Sequence, residues 1–512
     1  RYHLLYSDWG VVNGPGWTDV NVRLPMLTTA AVITLAGAAA LLVPGVRRRL
    51  AGLASRLKLA PWGGAAGAII GVGALVFISW FVLLSVVPRA FQWLRVEPNE
   101  ITMESEYIEN NIKLTRYGFN LHDVIEREFP ATGEFNRELV ENHRSTFENI
   151  RLWDWRALDQ VYKQFQEIRL YYEFVDVDID RYHVGGDYRE VMVSAREMMT
   201  SNLPPDSQTF VNRRFKYTHG YGITMSSVSE FTPEGLPDLL IRDIPPVSEF
   251  EELEVEQPQI YYGELTNEHV IANSSEPEFD YPRGEENVYI SYPGEGGVEI
   301  SNFWRKFLFG WKFDGTSLLL SGYPTQNSRI MFHRNIRERA GTLAPFLKLD
   351  NDPYIVLAEN KLYWILDAYT ASADFPYSQR FRAREMTRQR GDFDPVFSRH
   401  QLSYLEGSNY IRNSVKIVID AFNGSVDLYI FDPKDPLLKA WSKVFPDLFK
   451  PRGQMPDVLE KHIRYPVDML LTQGLVYSKY HMTDPGVFYN QEDLWIRATE
   501  KYSAQTHPVE PD

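Results

Sequence analysis

Two long runs without a charged residue constrain this chain more than any other feature. The first covers residues 24–46 and the second covers residues 62–87. A helix rises about 1.5 Å per residue, so each run is long enough to cross a hydrocarbon core of about 30 Å. Helices buried in a soluble protein rarely go so long without a charged face. We therefore predict two transmembrane helices.

The charges around these runs predict their orientation. The connection at residues 47–61 is rich in basic side chains, whereas the segment 1–23 offers Arg1 and Arg23 against two aspartates. The basic residues of the connection are Arg47, Arg48, Arg49, Arg56 and Lys58. Positive charge in a short loop marks the cytoplasmic side. We therefore predict a multi-pass protein of the plasma membrane, with residues 47–61 cytoplasmic and residues 88–512 extracytoplasmic.

The net charge of −15 is unevenly distributed along the chain. Residues 1–90 carry eight basic and two acidic residues, so the remainder has a net charge of −21. A surface this acidic repels phosphates, which argues against a nucleic-acid partner. The chain has no cysteine. This excludes disulfides, thiolate nucleophiles and cysteine-ligated metal sites.

The rest of the chain predicts a membrane-anchored α+β protein, in which a large mixed extracytoplasmic domain with antiparallel β-hairpins follows the two transmembrane helices. Hydrophobic residues make up 44% of the chain, enough for a sizeable core. One hairpin is predicted at 354–368, and a second at 415–431 around Asn423-Gly424, a strong hairpin-turn signal. We divide this part into an α+β region at 88–245, an acidic linker with loops at 246–300, an α+β region with both hairpins at 301–435 and a mainly helical region at 436–512.

Within these regions the patterns predict individual elements. Alternating apolar and polar residues at 167–180 indicate a strand, and helices are predicted at 99–116, 135–164, 187–199 and 302–320. The helix at 302–320 combines aromatic with basic residues. It could pack in a core, or it could lie on a membrane surface.

Two groups of residues are candidate sites. Gly63, Gly67 and Gly71 form a small-residue stripe that would let a neighbouring transmembrane helix approach, although glycine is also common in membrane helices. The second group is Asp176, Asp178 and Asp180, which alternate like the opening of a calcium loop. Arg181 stands where such a loop needs glycine, so we favour a solvated strand face and keep calcium as the alternative. No other cofactor is evident, and no nucleotide or hydrolase motif occurs.

Several longer sequence words resemble one family. They are Tyr2-His3-Leu4-Leu5-Tyr6-Ser7, Tyr217-Thr218-His219-Gly220-Tyr221-Gly222, Thr232-Pro233-Glu234-Gly235-Leu236-Pro237, Arg334-Asn335-Ile336-Arg337-Glu338-Arg339, Asn409-Tyr410-Ile411-Arg412-Asn413-Ser414 and Tyr480-His481-Met482-Thr483-Asp484-Pro485. With these words, nearly the whole chain resembles a prokaryotic membrane family known as uncharacterised protein family 0182. The resemblance implies further transmembrane helices upstream and more extracytoplasmic chain downstream, so we expect a middle piece. Residues 380–400 depart from the family pattern and are more basic.

Neither the residues nor the resemblance supplies a catalytic residue, and three hypotheses remain. The first is a non-enzymatic envelope protein that binds or organises other envelope components. The second is a component of a membrane transport system, whose partners would include the upstream transmembrane helices and the lipid bilayer. The third is an extracytoplasmic enzyme that uses a metal held by carboxylates and histidines.

Overall fold

Both apolar runs form long helices in the computed structural model of the chain. The structure describes residues 2–7, 10–56, 65–128, 133, 135–166, 169–284, 286–382 and 402–495. The chain folds into two compact units. The helical unit contains residues 1–126, 371–412 and 468–512, and the sheet unit contains residues 127–370 and 413–467. The basic stretch that departs from the family pattern lies mostly outside the described residues.

Helix α1 (Leu24–Leu42) ends before the predicted end of the first run. Val43 has an extended backbone, with φ −90° and ψ 112°, and Pro44 begins helix α2 (Pro44–Arg56). The residue before a proline avoids the helical region because the proline ring collides with its backbone. The proline therefore divides the run, and the exposed arginines at 47–49 lie on a second helix.

The second run belongs to a much longer helix than predicted. Helices α3 (Ala65–Phe81), α4 (Val87–Phe91) and α5 (Glu100–Gly118) follow one another and are joined by wider π turns and one 3₁₀ turn. Pro88 and Pro98 lie in this stretch. A proline lacks an amide N–H and its ring collides with the carbonyl four residues earlier, so the helix changes its hydrogen bonding there. Helix α5 confirms the helix predicted at 99–116 and ends two residues later, at Gly118.

Two helices of the described chain could cross a membrane, one over Asp19–Leu42 and the other over Ile69–Gly118. In the most apolar 18-residue window of each, only 6% and 0% of the residues are buried inside the protein. Both windows thus present their apolar side chains outward, which helices in the core of a soluble protein do not do.

The remaining elements form a mixed α+β structure. The further helices are α6 (Arg137–Asn142), α7 (Arg144–Glu148), α8 (Trp155–Gln166), α9 (Phe303–Lys312), α10 (Thr316–Leu320), α11 (Ile336–Leu343), α12 (Pro436–Val444), α13 (Asp457–Glu460), α14 (Val467–Tyr480) and α15 (Pro485–Asn490). The first strands are β1 (Tyr172–Phe174), β2 (Asp178–Val184), β3 (Asp187–Met198), β4 (Gly220–Tyr221), β5 (Ile223–Phe231), β6 (Pro237–Arg242), β7 (Val247–Ser248), β8 (Gln259–Ile260) and β9 (Val270–Ala272). The later strands are β10 (Glu278–Arg283), β11 (Glu286–Ile290), β12 (Val298–Glu299), β13 (Arg329–Met331), β14 (Lys348–Leu349), β15 (Tyr354–Ala358), β16 (Lys361–Ser372), β17 (Tyr410–Asp420), β18 (Val426–Ile430) and β19 (Phe449–Pro451).

Within the helical unit, polar side chains hold the end of α5. Tyr480 Oη donates a hydrogen bond of 3.1 Å to Asn111 Oδ1, and Gln473 Nε2 donates one of 3.0 Å to the carbonyl of Phe119. Arg412 Nη1 donates to the carbonyl of Gly118 at 2.7 Å. A helix leaves its last carbonyls without partners inside the helix. Arg412 and Gln473 supply such hydrogen-bond donors at the end of α5.

The first sheet of the sheet unit has the order β1-β3-β5-β6-β7, with β2 also paired to β3. The prediction of a helix at 187–199 is wrong, because these residues form strand β3. Gly185 and Gly186, with φ of 60° and 89°, make the two-residue turn that joins β2 to β3. Side chains alternate along a strand, so Val191 and Val193 both enter the core.

The second sheet has the order β14-β16-β17-β18-β19, with β15 also paired to β16. It confirms both predicted hairpins. In the first, Ala358 pairs with Lys361 across a two-residue turn. In the second, Ile419 pairs with Val426 across the Asn423-Gly424 turn. The pairing of β18 with β19 is parallel.

One hydrophobic core joins the two sheets. Val193 and Ile223 enter it from the first sheet, and Trp364 and Ile417 enter it from the second. Residues 246–300, predicted as linker and loops, contribute the buried Tyr261 and several short strands. The predicted segment boundaries divide the chain more finely than its two units do, and they stay predictions.

A candidate binding cleft in the sheet unit

A cavity of about 230 Å³ opens in the sheet unit. We call it the cleft. It is lined by Met198, Met199, Thr200, Ser201, Arg213, Tyr217, Thr218, Leu265, Thr266, Asn267, Glu268, Val270 and Arg334. Methionine and aliphatic side chains supply an apolar wall, and hydroxyl, amide and charged groups supply polar contacts. Binding sites for small ligands combine these two features, although most are larger.

Arg334 joins two distant sequence words at the cleft. Its Nε donates to the carbonyl of Tyr261 at 2.7 Å, and its Nη1 donates to the carbonyl of Glu268 at 3.0 Å. Its Nη2 donates to the carbonyl of Thr218. Burial lowers the pKa of Arg334 to about 10. Through these three hydrogen bonds, the guanidinium holds three backbone segments around the cleft.

A charged network forms the rim of the cleft. The carboxylate of Glu268 accepts hydrogen bonds from Arg213 Nε at 3.2 Å and Arg214 Nη1 at 2.8 Å. Arg214 Nε in turn donates to Asp314 Oδ1 at 3.1 Å, and His269 Nε2 contacts the other oxygen of Asp314. Networks of this kind hold long side chains in one arrangement.

Beside the cleft, the buried word around His219 takes part in a closed set of hydrogen bonds. His219 Nδ1 lies 2.8 Å from Thr218 Oγ1, and His219 Nε2 lies 3.2 Å from Asp280 Oδ1. The hydroxyls of Thr218 and Tyr261 both donate to Glu278 Oε2, at 2.7 Å and 2.8 Å. These buried polar groups satisfy one another, as stable interiors require.

Several carboxyl groups of the sheet unit are held away from water. Glu197 is fully buried and accepts hydrogen bonds from the backbone N–H groups of Glu264 and Leu265, at 2.7 Å and 2.9 Å. Burial raises the pKa of Glu197 to about 7. Burial, followed by the negative charges of Asp176 and Glu197, raises the pKa of Glu264 to about 10. These groups can therefore hold protons at neutral pH.

The predicted solvated face of aspartates is wrong, because Asp178 and Asp180 on β2 are only 5% and 2% exposed. Asp178 accepts hydrogen bonds from Arg464 Nη2 at 3.1 Å and from the Ile355 backbone N–H at 3.2 Å. Asp180 Oδ2 lies 2.8 Å from His462 Nδ1. Arg464 and His462 lie nearly 300 residues away in the sequence. Because they contact these aspartates, the face of β2 that was expected in solvent is buried.

Asp176 precedes the strand and belongs to the same buried surroundings. Burial, and then the negative charge of Asp352, raise the pKa of Asp176 to about 7. Within the described ranges, no group of three histidine or acidic side chains is placed to hold a metal ion. The calcium alternative at Asp176, Asp178 and Asp180 stays a prediction, which metal analysis of the purified protein would test.

Of the predicted glycine stripe, Gly63 lies outside the described residues. Gly67 and Gly71 lie on α3, and Gly71 is buried. A different glycine, Gly37, marks the close approach of α1 to α3. A Cβ atom added there would lie 3.1 Å from Val72 Cγ1. The sequence stripe pointed to one face of α3 and missed this contact, and the predicted packing seam for a further helix stays a prediction.

The cleft itself was not predicted. The sequence contained one indication of the cleft. Arg213, Thr218 and Arg334 belong to, or stand beside, the stretches that carry the family resemblance. These words are more than a hundred residues apart, and spacing alone does not show that they meet.

Fold and cleft together define an α+β protein with two helices that could span a membrane. The chain matches the family described as "Uncharacterised protein family (UPF0182)" over residues 1–512 and belongs to it. It is 46% identical over its whole length to a UPF0182 protein of Pelotomaculum thermopropionicum, of which it covers 52%. It is 42% identical to UPF0182 proteins of Desulforamulus reducens and Trichodesmium erythraeum, of which it covers 51% and 53%. The chain thus spans about half the length of these curated relatives. No solved structure matches it.

Proposed function

We propose that α1 and the long helix beginning with α3 anchor the chain in the plasma membrane. The sheet unit then lies outside the cytoplasm, where it binds or organises other components of the cell envelope. One observation carries this proposal: 6% and 0% of the residues in the two apolar windows are buried. Such surfaces are stable in hydrocarbon and costly in water.

The orientation rests on the basic residues that follow α1. Arg47, Arg48 and Arg49 are exposed on α2. They follow the C-terminal end of α1, whereas the segment that begins the chain precedes its N-terminal end. Positive residues beside a membrane helix are retained in the cytoplasm. The segments that enter α1 and leave α3 then face outward.

The cleft is where we place the contact with an envelope component. Its hydroxyl and amide groups can exchange hydrogen bonds with a polar ligand, and Met198, Met199 and Leu265 can cover an apolar part of it. Arg334 keeps the walls in place, because its guanidinium holds three carbonyls of the surrounding backbone. A cleft that is fixed before binding loses less entropy when its partner arrives.

Ser201→Trp tests this placement. Ser201 is exposed and lines the cleft, so an indole there fills the space without removing a core contact. The matched control is Ser425→Trp, because Ser425 is also exposed but does not line the cleft. Tagged full-length protein would be cross-linked in intact cells and its envelope partners identified.

The proposal predicts that Ser201→Trp loses at least tenfold of the cross-linked partner while Ser425→Trp retains it. Equal capture by both variants would remove the cleft from the proposal. The absence of any cross-linked envelope component from the unsubstituted protein would contradict the binding function itself.

A further inference from the structure

An exposed aromatic face lies on α9 and α10 of the sheet unit. Phe303, Trp304, Leu308 and Trp311 on α9 are 68%, 71%, 63% and 81% exposed, and Leu320 on α10 is 84% exposed. Trp304, Leu308 and Trp311 follow one another at spacings of four and three residues, so they share one side of the helix. Contiguous exposed apolar surface on a folded protein marks an interaction site.

The opposite side of the helix pair is firmly packed. Gly310 is buried, and a Cβ atom there would lie only 2.9 Å from Leu319 Cγ on α10. Leu318 belongs to a hydrophobic cluster against which Phe309 and Phe313 pack. The exposed side chains are therefore presented by a fixed element of the fold and are not a loose end of the core.

Basic side chains border the aromatic face. Arg305 Nη1 donates to the carbonyl of Glu299 at 3.1 Å. Lys312 Nζ lies 5.2 Å from the centroid of the Phe313 ring. In the described part of the chain, neither of these two cations pairs with a carboxylate, since Glu299 pairs with Arg329 and Asp314 with Arg214. This holds although residues 91–512 carry a net charge of −21.

We propose that α9 and α10 lie on the membrane surface, with the aromatic side chains among the lipid headgroups and acyl-chain ends and the basic groups at anionic lipid phosphates. Tryptophan and phenylalanine beside lysine and arginine are the combination that interfacial helices use. The cations complement anionic lipid, whereas residues 91–512 are acidic overall. This inference rests on the proposed anchoring, because α1 and α3 would tether the sheet unit to a bilayer.

A single fluorescent label can test the contact, because the chain has no native cysteine. Leu308→Cys carries a bimane label at the centre of the aromatic face, and Ser425→Cys carries it at an exposed turn of the same unit. A third position, Ile78→Cys, lies on α3, where Ile78 is 55% exposed. The 512-residue chain would be reconstituted in nanodiscs of phosphatidylcholine and phosphatidylglycerol that contain doxyl-labelled lipid.

The proposal predicts quenching by doxyl lipid at positions 308 and 78 that exceeds quenching at position 425 by at least threefold. Replacing phosphatidylglycerol with phosphatidylcholine should reduce the signal at 308 and leave the signal at 78 unchanged. The double variant Arg305→Glu/Lys312→Glu should reproduce that loss in anionic nanodiscs.

Three outcomes would contradict the proposal in different ways. Quenching at 78 without excess quenching at 308 would retain the anchoring and overturn the surface contact. Protection of the 308 label from aqueous iodide without lipid quenching would overturn it in favour of a protein partner or a second copy. Absence of quenching at 78 would overturn the anchoring on which the proposal rests.

Discussion

The helical unit exposes apolar side chains on α3, whereas the sheet unit buries charged side chains. In the helical unit, apolar side chains such as Leu75 and Phe77 on α3 are 56% and 73% exposed. In the sheet unit, charged side chains such as Arg196, Glu197 and Lys416 are 0%, 0% and 3% exposed. Each pattern would be costly in the other setting, because water penalises exposed hydrocarbon and a protein interior penalises charge without partners. On the anchoring that we propose, the exposed side chains of α3 face hydrocarbon, whereas the buried charges of the sheet unit have partners inside the fold.

The largest expected effect comes from the buried ion pair of Lys416 and Asp367. Their side chains are 4% and 2% exposed, and Asn413 also donates to Asp367 at 3.0 Å. Lys416→Met leaves the carboxyl group without its cation in the interior. We expect a loss of about 3–5 kcal/mol in the free energy of unfolding, measured by denaturant titration in detergent.

Lys450→Met is the matched control, because Lys450 and Asp427 form an ion pair of 2.6 Å whose side chains are 46% and 36% exposed. It should cost less than about 1 kcal/mol. The double variant Lys416→Met/Asp367→Leu should recover much of the lost stability. Equal costs for the Lys416 and Lys450 variants would contradict the claim that the sheet unit buries this pair.

A charge on the outside of α3 should have the next largest effect. Leu75 is 56% exposed, and Leu75→Arg would place a guanidinium in hydrocarbon at a cost of about 2.5–3.5 kcal/mol. We expect a smaller fraction of the protein to resist extraction from membranes by alkaline carbonate. Phe231→Arg is the control in the sheet unit, where Phe231 is 63% exposed. It should leave the extracted fraction unchanged, and a comparable loss in both variants would remove the distinction between the units.

The buried carboxyl groups predict a pH dependence. Burial raises the pKa of Asp176 from its ordinary value of 3.8 to about 7, so the folded state binds more protons than the unfolded state between these pH values. The contribution of Asp176 to the free energy of unfolding is then fully present below about pH 4 and is lost as the pH rises through about 7. Asp176→Asn should stabilise the protein by about 1–3 kcal/mol at pH 8 and flatten this dependence.

The measurement is denaturant unfolding of both proteins from pH 5 to pH 8. Asp206→Asn serves as the control, because Asp206 is exposed. A destabilised Asp176→Asn variant at pH 8 would show that the carboxylate form is required, as a calcium site would need.

The smallest expected effect concerns the approach of α1 to α3. Alanine at Gly37 would bring its Cβ to 3.1 Å from Val72 Cγ1, whereas a Cβ at Gly73 meets nothing within 4 Å. Both substitutions gain the same helix propensity, so the contact decides the difference. We expect Gly37→Ala to be about 1 kcal/mol less stable than Gly73→Ala in mixed-micelle unfolding. Equal stabilities would show that the two helices separate in a bilayer.

The sequence predicted local features well and long-range partners poorly. Alternation and the Asn423-Gly424 turn are local signals, and the structure confirms the hairpin that they predicted. The helix predicted at 187–199 failed because several apolar residues of β3 also fit a helical period, and Gly185-Gly186 was not recognised as the preceding turn. The burial of Asp178 and Asp180 could not be predicted, because Arg464 and His462 approach them from distant parts of the chain.

The cleft shows the same limit. Two of the sequence words supply Tyr217, Thr218 and Arg334 to the cleft, but the contact between Arg334 and Thr218 exists only in the folded chain. Local patterns specify which residues form strands and turns. Which of those strands bring their polar side chains together depends on tertiary packing, which a single sequence does not reveal.

The topology of the chain can be tested directly, because its 512 residues contain no cysteine. Ser425→Cys and Gly52→Cys each place one exposed thiol, at a turn of the sheet unit and on α2. Intact cells would be treated with a membrane-impermeant maleimide. We expect labelling at position 425 in intact cells and labelling at position 52 only after permeabilisation. Labelling at 52 but not at 425 in intact cells would contradict this expectation.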